Sequence, residues 1–144
     1  MEILTMGKVT VSARIENLSD LNRSQAGDIP SDSVRAIEVD DALVDTGATM
    51  LSLPGKHIRE LGLRRHRTRT ARTTAGVISF GVYEPVRLTV QERDCVVEVC
   101  EVPDDCPPLI GQLPLEALDF VVDPNGRRLL GNPEHGGQHM IDLF

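Results

Sequence analysis

An all-β fold with one or two short helices is predicted by three observations. Short stretches alternate apolar and polar residues with a period of two, as in Lys8 to Glu16 and Pro85 to Val90. The apolar fraction of 40% contains no Trp, one Tyr and three Phe, so the core must be built from Val, Leu and Ile, which suits strands. Gly, Pro, Asn and Asp clusters punctuate the apolar runs at short intervals. At 144 residues the chain, 1–144, is expected to be a single domain large enough to bury one core.

Taken in order, Val9, Val11, Ala13 and Ile15 share one face of a half-buried strand. Residues 17–33 are polar and rich in Ser, Asp, Gly and Pro, and read as a long loop. Residues 34–39 resume strand character, and Asp40-Asp41 reads as a turn into the apolar run Ala42-Leu43-Val44. That run delivers Asp45-Thr46-Gly47-Ala48, a carboxylate at the mouth of a tight turn. Thr46 offers a hydroxyl to brace the turn, and Gly47 permits backbone approach where a side chain would clash. Pro54 to Leu61 reads as a short helix, with Pro54 at its first position and Gly62 just past its end.

A hairpin is expected around Ala75-Gly76, with Gly76 supplying positive φ and Ile78, Phe80 and Val82 alternating on the second arm. Residues 85–90 form a further strand, and Gln91 to Asp94 turn into residues 95–102, which are apolar on both faces and read as a central strand. Cys95 and Cys100 have opposite parity there, so they cannot hold one metal together. Cys106 lies in a loop; three cysteines are an odd number and do not suggest a closed disulfide framework. Pro107-Pro108 leads to Leu109-Ile110-Gly111 and a short helix over 112–118. Strands at 119–123 and 128–130 flank the turn signal Pro124-Asn125-Gly126, and a final strand is expected over 139–144 in the tail 132–144. His135 and His139 are four apart beside Glu134, but Pro133 and two glycines oppose the helix that a zinc site would need, so no metal is expected.

Charge narrows the functional classes. The net charge of −7 argues against general nucleic-acid binding. Residues 56–72 nevertheless hold seven of the fifteen Lys and Arg against one acid, Glu60. No aromatic residues are interleaved for base stacking, and a solvated hairpin face is the favoured reading. The apolar runs are too short to cross a bilayer. The first residues carry Glu2 and lack a basic region followed by an apolar stretch, so a cytoplasmic protein is expected.

Asp45-Thr46-Gly47-Ala48 between apolar flanks, Thr73-Thr74-Ala75-Gly76-Val77 as a hairpin tip, and Leu109-Ile110-Gly111 before a short helix occur in this order. Together they resemble the retropepsin-like (retroviral-type) aspartic proteases, closest to the small single-lobe bacterial type, over roughly residues 8–131. The long connection at 17–33 departs from the compact members. The resemblance implies a closed, barrel-like acid-protease lobe that is active as a homodimer, with polypeptide substrates and no cofactor. By resemblance, Asp45, Thr46 and Gly47 form the catalytic loop, and Thr46 braces the opposite loop. Ala48, Thr74, Ala75 and Gly76 would contact substrate backbone, while Leu109, Ile110 and Gly111 would pack under the loop and line side-chain pockets. The tail Ile141-Asp142-Leu143-Phe144 would join the dimer.

Peptide hydrolysis by this route needs two carboxylates facing one water. The chain has one Asp-Thr-Gly and room for one lobe, so the second carboxylate must come from a second chain on a two-fold axis. The alternative is a non-catalytic homodimeric peptide-binding module of the same fold. A further rival is an adaptor for nucleic acid or an acidic partner, using residues 56–72.

Overall fold

Strand pairing in the computed structural model, which describes residues 8–123, 125 and 127–143, runs round a ring and returns to its start. The ring is made by β1 (Val9–Asn17), β2 (Ala36–Val44), β3 (Leu51–Pro54), β5 (Gly76–Val90), β6 (Arg93–Val102) and β7 (Leu109–Ile110). Its order is β1-β2-β7-β3-β6-β5, and β5 pairs back onto β1 through Ile15↔Leu88 and its neighbours. β4 (Arg65–Thr73) hangs outside the ring on β5. β8 (Phe120–Asp123) and β9 (Arg128–Gly131) form a separate hairpin. The fold is thus mostly β, as composition and alternation predict. Val9, Val11, Ala13 and Ile15 all point into the core, with Leu51, Leu53, Leu88, Val99 and Ile110.

Among the described residues three α-helices are present rather than one or two: α1 (Leu18–Gln25), α2 (Gly55–Leu61) and α3 (Gln112–Leu118). The first corrects the reading of 17–33 as a loop. Eight residues, of which only Leu18 and Leu21 are apolar, are too few to form a helix alone, and no apolar stripe announces this one. It is held by other means. Asn17 caps it by accepting from the Asp20 N–H at 2.9 Å, and donates from its own side chain to the Leu61 carbonyl at 2.7 Å. Asp20, buried, accepts from the Arg35 side chain at 2.7 and 3.0 Å and from the Arg35 backbone at 3.0 Å. The Arg35 guanidinium holds the Asp20 carboxyl below its usual range. A short 3-10 turn, Ser31–Ser33, completes the connection.

Other boundaries differ in smaller ways. Asp40-Asp41 is no turn: β2 runs straight through it, and the extra residue is taken up as a bulge where Val11↔Ala42 gives way to Ala13↔Val39. Pro54 ends β3 and precedes α2 rather than opening it, while Gly62 ends the helix in the left-handed region at φ +64°. Residues 76–90 form one long strand, irregular between Tyr83 and Val86, not two. Val96 is 55% exposed, so β6 is not covered on both faces. The expected final strand is absent over 139–143; the tail there is irregular after a 3-10 turn at Pro133–His135. Phe144, and Pro124 and Gly126 of the turn between β8 and β9, lie outside the described residues.

Candidate active site

The Asp45 loop leaves the ring from β2 and returns through β3, and β7 is wedged between those two strands. β7 runs parallel to β2 (Val44↔Ile110) and antiparallel to β3 (Leu51↔Ile110). The Asp45 N–H donates to the Ile110 carbonyl at 3.0 Å, so the residue that carries the carboxylate is fixed as the last rung of that ladder. Its side chain is partly exposed, and Oδ1 accepts the Gly47 N–H at 2.9 Å. A Cβ on Gly47 would stand 3.2 Å from Oδ1, so the glycine lets the turn close on the carboxylate. Ala48 N–H completes the turn onto the Asp45 carbonyl at 3.1 Å.

The far side of the loop is fastened by α3. The first N–H groups of a helix have no partner within it. Here Gln112 N–H donates to the Ala48 carbonyl at 2.8 Å and Leu113 N–H to the Thr49 carbonyl at 2.9 Å, while Gly111 N–H donates to Met50 at 3.0 Å. Leu109, Ile110 and Gly111 are therefore brought directly under Asp45, Thr46, Gly47 and Ala48. Ile110 is fully buried, so its side chain supports the loop from beneath. Thr46 and Gly47 face solvent.

The hairpin of β4 and β5 turns at Thr74-Ala75, one residue before the expected Ala75-Gly76, and Gly76 opens β5 opposite Thr73. Thr73 Oγ1 accepts the Ala75 N–H at 3.1 Å and donates to the Gly76 carbonyl at 2.8 Å. Gly76 has φ +114°, a conformation that side chains resist. Thr74, Ala75 and Gly76 are exposed, and among the described residues no hydrogen bond joins this tip to the Asp45 loop.

Two features escape sequence reasoning. A groove of about 360 Å³ lies between β6 and α3, next to the loop, with Met50, exposed Val96 and exposed Leu113 on its walls. The only sequence signal for it is an apolar Val96 on the outward parity of its strand. A second cluster ties down the tail: His135 Nδ1 meets Asp119 at 2.6 Å and Nε2 meets Asp142 at 3.1 Å. His139 approaches the Ala117 carbonyl at 3.0 Å, so the two histidines go to separate partners. Among the described residues no three potential ligands converge on a metal position. Burial pushes the Cys95 thiol up to about 11 and raises Cys100 as well, which leaves both poor nucleophiles. Among the described residues no helix is long and apolar enough to cross a membrane.

No protein-family model matches this chain, and no curated protein matches it. What fold and site define by themselves is a mostly-β ring that presents one fastened, partly exposed carboxylate and, separately, an exposed hairpin tip.

Proposed function

We propose that this chain is one half of a homodimeric aspartic endopeptidase of the retropepsin-like type, acting on polypeptides with no metal and no organic cofactor. The observation that carries the reading is the Asp45 loop: a carboxylate set by the Gly47 N–H on one side and fastened through Ala48 and Thr49 to α3 on the other. Such a group is preorganised, which is what general acid–base chemistry requires. In the dimer two Asp45 side chains face one water. The ionised one takes a proton from the water, whose oxygen attacks the scissile carbonyl carbon. The protonated one hydrogen-bonds the carbonyl oxygen, and a proton then passes to the departing amine. Two carboxyls in contact share one proton and titrate as a unit.

In this reading exposed Thr46 meets its counterpart across the two-fold axis, and Ala48 with the tip residues Thr74, Ala75 and Gly76 pairs with extended substrate backbone. Leu109, Ile110 and Gly111 hold the loop from beneath. Three free cysteines fit a reducing compartment.

The test is incubation of the purified protein with a peptide library across acid to neutral pH, beside Asp45→Asn. Cleavage should follow a bell with an acidic optimum, because the mixed protonation state disappears once both groups ionise. Asp45→Asn should reduce cleavage to background, while fold and dimer survive on its similar shape. Wild-type protein with no Asp45-dependent hydrolysis at any pH overturns the enzyme and leaves the peptide-binding module.

A further inference from the structure

Residues directly opposite each other on paired strands share a face. One such row crosses four strands: Ser52 on β3, Cys100 on β6, Val82 on β5 and Arg67 on β4. The Cys100 sulfur lies 3.1 Å from the Met50 sulfur, so this face begins at the end of the Asp45 loop. Two residues further along β4, on the same face, Arg69 stands opposite Phe80, and Ala71 stands opposite Ile78. Val82 and Cys100 form a closed floor, while Arg69 is exposed and Ile78 is 48% exposed.

The charges on this face are not equivalent. Arg67 is held by Glu98, which lies two residues from Cys100 and shares its parity. Arg69 has no acidic partner among the described residues, and its cross-strand neighbour is an aromatic ring. A chain of net charge −7 with 22 acids thus leaves this cation uncompensated next to apolar side chains. Arg72 is also without an acidic partner among the described residues, but it is opposite Val77 and points to the other face of the hairpin.

We propose that this face selects polypeptides bearing an acidic side chain, with Arg69 as the carboxylate-binding group and Phe80 and Ile78 receiving an apolar neighbour. The proposal rests on the reading that the Asp45 loop receives a polypeptide. An extended strand places alternate side chains on one face, which suits a carboxylate and an apolar group two residues apart. A guanidinium binds a carboxylate through paired N–H donors.

The test uses the full-length Asp45→Asn protein, which binds without turnover, and labelled peptides matched except for Glu, Gln or Lys at one scanned position. Fluorescence anisotropy should show the best Glu peptide bound about three- to fivefold more tightly than its Gln twin, the range of a partly exposed ion pair. Arg69→Gln should erase that difference, with circular dichroism confirming the fold. Arg72→Gln should preserve it. The proposal is overturned if no peptide binds, if Glu and Gln peptides bind alike, if Arg72→Gln erases the preference equally, or if single-stranded RNA of equal length binds more tightly and displaces the peptide. Hydrolysis by the wild type is measured separately. An Arg69-dependent preference without hydrolysis supports this inference and removes the enzyme; hydrolysis without the preference does the reverse.

Discussion

A methyl group on Gly111 would sit 2.5 Å from the Met50 carbonyl oxygen, 2.7 Å from the Thr49 carbonyl carbon and 2.8 Å from the Ala48 carbonyl oxygen. All three are backbone atoms of the Asp45 loop, so none can swing aside as a side-chain tip would. Gly111 is required for close approach, not for its dihedral angles, which lie in the extended region. Gly111→Ala should therefore destabilise the fold by about 1–3 kcal/mol, as overpacking does. It should also lower any Asp45-dependent turnover by more than the loss of folded protein explains, because the loop must move. Urea midpoints beside turnover per folded molecule check this; an alanine variant with unchanged midpoint and activity would show that the loop yields freely. The glycine was legible in the sequence through resemblance alone. Its physical reason was not, because the atoms it avoids lie some sixty residues earlier in the chain.

At the scale of elements, α1 and the tail show how short polar segments are held. Both ring nitrogens of His135 face carboxylates, which only accept hydrogen bonds. A neutral imidazole donates from one nitrogen only, so the arrangement needs the imidazolium. The Asp119 hydrogen bond, then the Asp142 one, raises the His135 pKa above its usual 6.5. The His135 hydrogen bond, with the Met140 N–H and Asn132 side chain, lowers Asp119 from 3.8 to about 2. The signs follow by linkage. The histidine's contribution is complete below 6.5 and fades as pH rises through its raised value; the aspartate's is complete above 3.8 and fades as pH falls towards about 2. The tail should be held best between those limits. Hydrogen exchange at residues 138–142 should be slowest in that window and accelerate above it, and His135→Gln should flatten the alkaline limb. Exchange that ignores pH after correction for intrinsic rates would refute the imidazolium bridge. Strands were legible because alternation is a local signal: Val9 to Ile15 and Leu88 to Val90 read true. α1 was not, because a pair between buried Asp20 and half-exposed Arg35 leaves no period in the sequence.

The whole molecule holds the fastened Asp45 carboxylate in a ring that uses every described strand but β4, β8 and β9. Apolar side chains remain in solvent at Val96, Leu113, Ile141 and Leu143, the last 75% exposed. In the proposed enzyme, one lobe with one Asp45 supplies half of a two-carboxylate site. Sedimentation across a concentration series should therefore show a dimer or a monomer–dimer equilibrium, retained by Asp45→Asn. A strict monomer at high concentration that still cleaves peptides would overturn the shared-site proposal.

The sequence by itself determined the strand class, the Val, Leu and Ile core, the Asp45 turn, the stop at Gly62 and, to within one residue, the hairpin expected around Ala75-Gly76, because each depends on side-chain period or turn chemistry within a few residues. Only the tertiary structure decided the closure of the ring, the wedging of β7 between β2 and β3, and the tethering of α1 and the tail. Closure joins Ile15 to Leu88, and tethering joins Asp20 to Arg35 and Asp119 to His135. These pairings are made across long stretches of chain by burial and hydrogen bonding, and neither leaves a periodic mark in the order of residues.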